Sequence, residues 1–210
     1  MYIDLTHEIS SEMPYFPGTP APSLRRFCTI EESGYTELEI SINSHTGTHI
    51  DAPAHIIPGG LNLDSYKIDH FTGKAVCIDC TYLNEIGVGE LSHSVESNNS
   101  VEFILLKTGW SKRWGDSSYF EGFPVLTEAA AHYIADKKIK AVCMDVISAD
   151  NIADQHLPIH NILLGNGVMI AENLNIPESF PVEYPFEIYL IPLKIKNSDG
   201  SPLRAFAKVL

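Results

Sequence analysis

Four side chains of the kinds that commonly bind metal ions lie within one short segment: His45, His49, Asp51 and His55. Imidazole and carboxylate groups are the ligands that borderline divalent ions such as zinc prefer. The chain has nine histidines in all, so three of them crowded by accident around one aspartate would be improbable. The segment therefore predicts a metal centre rather than a polar loop with scattered histidines.

The spacing of these residues restricts the backbone that carries them. On a helix, His45 and His49 would share a face, but Asp51 would lie roughly 200° around the axis from His49. On a flat strand all four side chains would share a face, yet His45 and His49 would stand about 13 Å apart. That is too far for two ligands of one ion. We therefore predict a strand that ends at residue 43 and then curls, with Gly47 giving the freedom to bend.

The elements that must position this segment are mainly strands. Residues 36–43 alternate apolar and polar side chains, which predicts a half-buried strand that leads into His45. Thr127 is typical of an N-cap and predicts a helix over 128–138. Further strands are predicted near the start of the chain and at 74–81, 101–107, 139–145, 167–172 and 187–195. Such a mixture predicts an α+β domain with a curved sheet or barrel-like core.

Length and composition are those of one globular domain over residues 1–210. Hydrophobic residues make up 44% and charged residues 20%, as is usual for a folded protein with a substantial core. The formal net charge of −13 would repel nucleic acid and anionic lipid, so neither is expected as a partner. The sequence has neither an apolar run of membrane-helix length nor the basic and apolar start of a signal peptide. We therefore expect a cytoplasmic protein.

Two cysteines, Cys77 and Cys80, form a Cys-x-x-Cys pattern that also occurs in redox proteins. Redox chemistry needs the pair at the start of a helix, whereas here it lies within a β-branched and apolar segment. A second cysteine pair that could complete a zinc knuckle is not present in the sequence. We interpret both residues as reduced cysteines of a strand in a cytoplasmic protein.

The remaining polar residues of interest lie in segments whose sequence pattern does not indicate a function. Asp150 and Asp154 lie in the loop before His160, and we interpret them as solvated carboxylates. The alternative is that they orient a ligand histidine. The remaining histidines are interpreted as ordinary ones: His7, His70, His93, His132 and His156.

The segment matches in full the pattern His45-x-Gly-Thr-His49-x-Asp51-x-Pro-x-His55. It thereby resembles the cyclase family of metal-dependent hydrolases, which includes bacterial kynurenine formamidase and isatin hydrolase. The resemblance continues along the chain through Asp4-Leu-Thr6, Met13-Pro-x-x-Pro-Gly18, Thr108-Gly-Trp110, Asp145-x-x-Ser148-x-Asp150, His160 with Leu163-Leu164, Glu172, and Gly200-Ser-Pro-x-Arg204. It implies a compact α/β fold, with a barrel-like mixed sheet flanked by helices, and a homo-oligomer, either a dimer or a tetramer.

The resemblance also implies a site that holds one or two ions, zinc being expected and manganese possible. Five residues would bind metal: His45, His49, Asp51, His160 and Glu172. Asp51 would bridge the two ions, since a carboxylate has two oxygens and can bridge where an imidazole cannot. His55 would stay unligated as the catalytic acid/base, because a catalytic zinc keeps an open position for water and an imidazole titrates near neutral pH.

For the substrate, the resemblance implies a small molecule with an amide bond that metal-activated water attacks. An aryl formamide such as N-formylkynurenine is the leading expectation. The alternatives are the opening of a cyclic amide with manganese, as in isatin hydrolase, and a metal-binding homologue without catalysis. Tyr15, Phe16 and Trp110 are candidates for stacking on an aromatic substrate, although packing in the core would explain them nearly as well.

Overall fold

The computed structural model describes residues 1–98, 100–182 and 184–209. Within these residues the strands are β1 (Tyr2–Asp4), β2 (Ser23–Cys28), β3 (Glu37–Ser41), β4 (His49–Asp51), β5 (Thr72–Asp79), β6 (Glu85–Ile86), β7 (Phe103–Lys107), β8 (Val125–Leu126), β9 (Ala141–Met144), β10 (Met169–Glu172), β11 (Phe186–Pro192) and β12 (Gly200–Lys208). The α-helices are α1 (Ile30–Ser33), α2 (Val88–Ser97), α3 (Glu128–Asp136) and α4 (Pro158–Gly165). Short 3-10 turns occur at Pro53–His55, Leu63–Ser65, Ile68–Phe71, Trp110–Arg113 and Ser117–Phe120.

The main sheet closes on itself. In the described part of the chain its strand order is β1-β12-β11-β5-β7-β9-β10-β4, and β4 also pairs with β12. All of these strands except β1 therefore form a closed ring. Strands β5, β7, β9 and β10 run parallel to one another, while β4, β11 and β12 pair antiparallel with their neighbours. The predicted barrel-like mixed sheet is confirmed.

The parallel strands are buried on both faces, as is usual where helices cover a sheet. Ile104 and Leu106 of β7 belong to the apolar cluster that also contains residues of α2, α3 and α4. Phe103 and Leu105, which alternate with them, belong to a second buried cluster on the opposite face. Helices α2, α3 and α4 thus flank the barrel on one side of its wall. Among the described residues, none of the helices has the length and apolar character needed to span a membrane.

The strands predicted from 74 to 195 are present with bounds that differ by up to three residues, namely β5, β7, β9, β10 and β11. The predicted helix is α3. Its N-cap is Thr127, whose Oγ1 accepts a hydrogen bond from the amide of Ala130 at 3.1 Å. It ends at Asp136 rather than Lys138.

The prediction for residues 36–43 is correct in conformation and wrong in burial. β3 spans Glu37–Ser41, and all of its residues are exposed. It pairs with β2 in a two-stranded ribbon that is separate from the barrel sheet. Leu38 and Ile40 consequently remain 45% and 55% exposed. The alternation predicted an extended backbone, but burial depends on which surface the ribbon faces.

Cys77 and Cys80 are structural, as predicted. Cys77 lies within β5, and Cys80 follows it directly. Each is buried in a different apolar cluster, and neither forms a disulfide. Burial raises the pKa of both thiols, that of Cys80 to about 12, so neither is a reactive thiolate near neutral pH.

Candidate metal centre

The backbone bends between β3 and β4, as the spacing of the histidines predicted. Thr46 Oγ1 accepts a hydrogen bond from the amide of Asn43 at 3.0 Å. Gly47 follows with φ of +65°, a left-handed conformation in which a side chain would be strained. A Cβ atom at Gly47 would also lie 2.9 Å from Cε of Met13. The chain then enters the barrel as β4 at His49.

Barrel closure brings the remaining groups to β4. His49 and Asp51 stand two residues apart and therefore project from the same face of the strand. On one side, β10 pairs Glu172 with His49. On the other side, β12 pairs Gly200 with Asp51. His160 comes from the first turn of α4.

Asp51 lies at the centre of the cluster that results. Its Oδ1 is 2.6 Å from Nδ1 of His45 and 3.3 Å from Nε2 of His49, and its Oδ2 is 3.7 Å from Nε2 of His160. Glu172 approaches the same rings, with Oε2 3.5 Å from Nε2 of His49 and Oε1 3.4 Å from Nε2 of His160. The structure thus brings together the five residues that the resemblance implied as metal ligands.

Each of the three imidazoles turns one nitrogen toward these carboxylates and the other toward a separate acceptor. The outer contacts are Nε2 of His45 with Asp199 Oδ2 at 3.0 Å, Nδ1 of His49 with the carbonyl of Gly47 at 2.8 Å, and Nδ1 of His160 with Asp150 Oδ2 at 2.7 Å. Histidines that bind metals are held in this way, because an acceptor on one nitrogen fixes the ring and leaves the other nitrogen for the ion. The donor set and its outer partners fit a divalent cation.

Asp150 is not the solvated carboxylate that we predicted. It is 2% exposed and accepts hydrogen bonds from the amides of Ile159 and His160 at 2.8 and 2.9 Å, in addition to the ring contact. The start of α4 therefore folds around this carboxylate. Asp154, by contrast, caps a turn within the loop by accepting from the amide of His156 at 2.9 Å.

The electrostatics of the cluster favour positive charge. Burial alone lowers the pKa of His160, but hydrogen bonds with Asp150 and Glu172 outweigh it and raise the pKa to about 10. Burial likewise lowers the pKa of His45, and Asp51 and Asp199 outweigh it to raise the pKa to about 9. Burial raises the pKa of Asp51, yet the neighbouring imidazoles hold it well below its usual range. Protons therefore occupy positions that a cation would take, and binding a cation would release them.

His55 stands at the edge of the cluster on a 3-10 turn that begins with Pro53. Its ring centroid is 3.9 Å from that of His45, and its Nδ1 is 3.5 Å from Asp199 Oδ2. Burial lowers the pKa of His55; the carboxylates of Asp51 and Asp199 oppose this, and the imidazoles of His45 and His160 add to it. The lowered pKa favours the neutral ring, which is the form that can accept a proton.

These groups open into a cavity of about 260 Å³. Tyr15 and Phe16, the two aromatic residues of the N-terminal segment that were predicted to bind substrate, line it together with Ile147 and Leu157. The cavity therefore combines apolar walls with a polar floor, which is the usual composition of a small-molecule site.

Trp110 is not among the residues that line the cavity, and its predicted role in substrate binding is corrected. Its indole N–H donates to the carbonyl of Tyr119 at 2.9 Å. The ring meets Phe123 edge to face, and the guanidinium of Arg113 lies 3.8 Å above it. These contacts hold Trp110 against the apolar core.

The sequence did not single out two residues that support the site. Asp199 contacts His45 and His55, and Asn173 donates from Nδ2 to the carbonyl of Gly47 at 3.1 Å. Both directly adjoin segments that carried the resemblance, since Asp199 precedes Gly200 and Asn173 follows Glu172. Their position beside these segments is the feature of the sequence that could have identified them as part of the site.

Comparison with known proteins decides the family. The model of the Cyclase family matches residues 3–151, more than half of the chain. The chain belongs to this family. A kynurenine formamidase from Bacillus cytotoxicus is 31% identical to it over 210 residues, covering 100% of this chain and 98% of that protein. The resemblance seen in the sequence is confirmed.

Two solved structures share the fold of this chain. Isatin hydrolase A from Labrenzia aggregata, bound to benzyl benzoate, superposes with a TM-score of 0.87 at 26% identity, covering 100% of this chain and 93% of that one. A protein from Bacillus stearothermophilus, described as a predicted metal-dependent hydrolase, gives a TM-score of 0.80 at 28% identity, with 99% and 97% covered.

Proposed function

We propose that this member of the Cyclase family hydrolyses an aryl formamide, with N-formylkynurenine as the type substrate, at a centre of one or two divalent cations. The observation that carries the proposal is the Asp51 cluster, with three imidazoles each held by an outer acceptor and with His55 beside them. The choice of substrate is supported by kynurenine formamidase relatives that match over the whole chain. The aromatic walls of the cavity suit an aryl group.

The residues that would hold the cations are His45, His49, Asp51, His160 and Glu172. Zinc is the proposed ion because imidazole and carboxylate ligands suit it, and manganese is the alternative. When bound, the cation would lower the pKa of a water molecule and polarise the carbonyl of the substrate.

His55 moves the proton in the proposed reaction. Its Nδ1 lies 3.5 Å from Asp199 Oδ2, and in this proposal Nε2 is the nitrogen that serves the substrate. The neutral ring accepts a proton from the attacking water at Nε2 and returns it to the nitrogen that leaves. Formic acid, which ionises to formate and releases its proton to solvent, and an aryl amine are the products, and His55 regains its starting state.

The cavity walls orient the substrate in this scheme. Tyr15 and Phe16 are 40% and 37% exposed, which places them at the mouth of the cavity. An aryl ring that packs between them would bury apolar surface and hold the formyl group near the cluster. The same ring would also displace water from the mouth.

The test is elemental analysis of gently purified protein combined with an assay on N-formylkynurenine, with and without chelator. The proposal predicts bound metal, release of formate, and loss of activity on metal removal with recovery on adding zinc. Activity that survives complete metal removal would refute it. Full metal content without hydrolysis of any formamide would favour the alternative that this protein is a metal-binding homologue without catalysis.

Ring opening of a cyclic amide is the second candidate, favoured by the similarity to isatin hydrolase A. Isatin should be assayed in parallel with the zinc-loaded and the manganese-loaded protein. A higher kcat/KM for isatin than for N-formylkynurenine would select this candidate. The cytoplasmic location and the homo-oligomer, a dimer or a tetramer, stay predictions, and light scattering after size-exclusion chromatography would measure the oligomer size.

A further inference from the structure

Asp199 occupies an unusual place between two imidazoles with different proposed tasks. Its Oδ2 is 3.0 Å from Nε2 of His45 and 3.5 Å from Nδ1 of His55. The two rings lie against each other with centroids 3.9 Å apart. One carboxylate oxygen therefore faces a proposed metal ligand and the proposed acid/base at the same time.

The backbone hydrogen bonds of the turn do not use the carboxylate of Asp199, whose other partners are the side chain of Ser44 and its own backbone amide. Gly200 pairs with Asp51 where β12 meets β4, and the carbonyl of Asp199 accepts from the amide of Ala52 at 2.8 Å. The hydroxyl of Ser198 donates to the carbonyl of Gly200. A change limited to the carboxylate should therefore leave the turn in place.

Close packing makes the contact with His45 specific. A Cβ atom on Gly200 would lie 2.5 Å from Cε1 of the His45 ring, so the turn passes directly against that ring. The ring is thus confined between the turn and Asp51, with Asp51 at its Nδ1 and Asp199 at its Nε2.

We propose that Asp199 is a positioning residue for both imidazoles. A carboxylate accepts hydrogen bonds and does not donate them. It therefore stabilises the tautomer of each imidazole that carries a proton on the nitrogen facing Asp199. With a cation bound, His45 would carry its proton on Nε2 and present Nδ1 to the metal-binding cluster. His55 would carry its proton on Nδ1 and present Nε2 to the substrate. The part concerning His55 rests on the proposed function, whereas the part concerning His45 rests on the cluster alone.

The first test measures metal binding and needs no substrate. Asp199→Asn should weaken zinc binding by about tenfold to a hundredfold in competition with a chromophoric chelator, as is usual for a lost partner of a ligand histidine. Asp154→Asn is the matched control, because that side chain caps a loop turn and an asparagine can accept the same bond. Equal zinc affinity in Asp199→Asn and the parent protein would overturn the part concerning His45.

The second test observes the rings directly. Long-range ¹H–¹⁵N spectra of the zinc-loaded protein show which nitrogen of each imidazole carries the proton. We expect protonated Nδ1 on His55 in the parent protein and a mixture of both tautomers in Asp199→Asn. The same tautomer of His55 in both proteins would overturn the part concerning His55, whether or not a formamide is hydrolysed.

A double-mutant cycle separates positioning from general support of the fold. With every protein saturated with zinc, Asp199→Asn should lower kcat on N-formylkynurenine by about tenfold or more in the parent background and by a clearly smaller factor in a His55→Ala background, where only the effect through His45 remains. An equal loss in both backgrounds would mean that Asp199 does not act through His55. A parent protein that hydrolyses no formamide would refute the proposed function instead, and the first two tests would still decide the role of Asp199.

Discussion

A methyl group added at Gly200 would overlap sterically with the ring of His45. The new Cβ atom would lie 2.5 Å from Cε1, 2.9 Å from Nε2 and 3.0 Å from Nδ1. Ordinary contact begins near 3.4 Å, so the ring would have to retreat by roughly 1 Å. The backbone cannot yield easily, because Gly200 pairs with Asp51 in the barrel.

The magnitude follows from that displacement. Nδ1 of His45 lies 2.6 Å from Asp51 Oδ1, and a shift of about 1 Å would break this alignment. Misplacement of this size can cost about a hundredfold in turnover, which is about 2.7 kcal/mol at 1.36 kcal/mol for each factor of ten. The displaced ring of His45 would also lose its outer contact with Asp199. Zinc binding should therefore weaken by at least tenfold.

The assay is zinc competition with a chromophoric chelator, followed by kcat/KM on N-formylkynurenine. Gly89→Ala is the matched control, since a Cβ atom there meets nothing within 4 Å and alanine favours the α2 helix that contains it. We expect parent zinc affinity in the control and a large loss in Gly200→Ala. Parent affinity in Gly200→Ala would refute the argument that the turn confines His45.

Three further outcomes are expected. His55→Ala should lower kcat by about a hundredfold or more while elemental analysis shows unchanged metal content; loss of the metal would make His55 a ligand. Asp51→Ala should remove all bound metal, and full occupancy in that variant would exclude a bridging role. Burial lowers the pKa of His7 to about 4 from 6.5, so the unfolded chain takes up the proton first as pH falls. Its contribution to the unfolding free energy, complete above pH 6.5, should shrink by about 3 kcal/mol toward pH 4. Urea unfolding measured between pH 6.5 and pH 4 should show this loss in the parent protein and a smaller loss in His7→Phe. The same dependence of the unfolding free energy on pH in both proteins would contradict this expectation.

The local part of the site could be predicted from the sequence. Ligand types depend on the chemistry of single side chains, and the spacing of His45, His49 and Asp51 excluded both a regular helix and a flat strand. The bend at Gly47 followed from that exclusion. The strands and the helix after Thr127 followed from periodicity and capping, which act over a few residues.

The outer contacts of the site came only from the tertiary structure. Asp199 is 154 positions from the ring that it holds, and its place depends on the pairing of β12 with β4. The burial of Asp150 likewise depends on how α4 packs, and the exposure of Leu38 depends on a ribbon that leaves the barrel. Periodicity and residue type describe one segment at a time, whereas these features are set by contacts between segments that only closure of the barrel brings together.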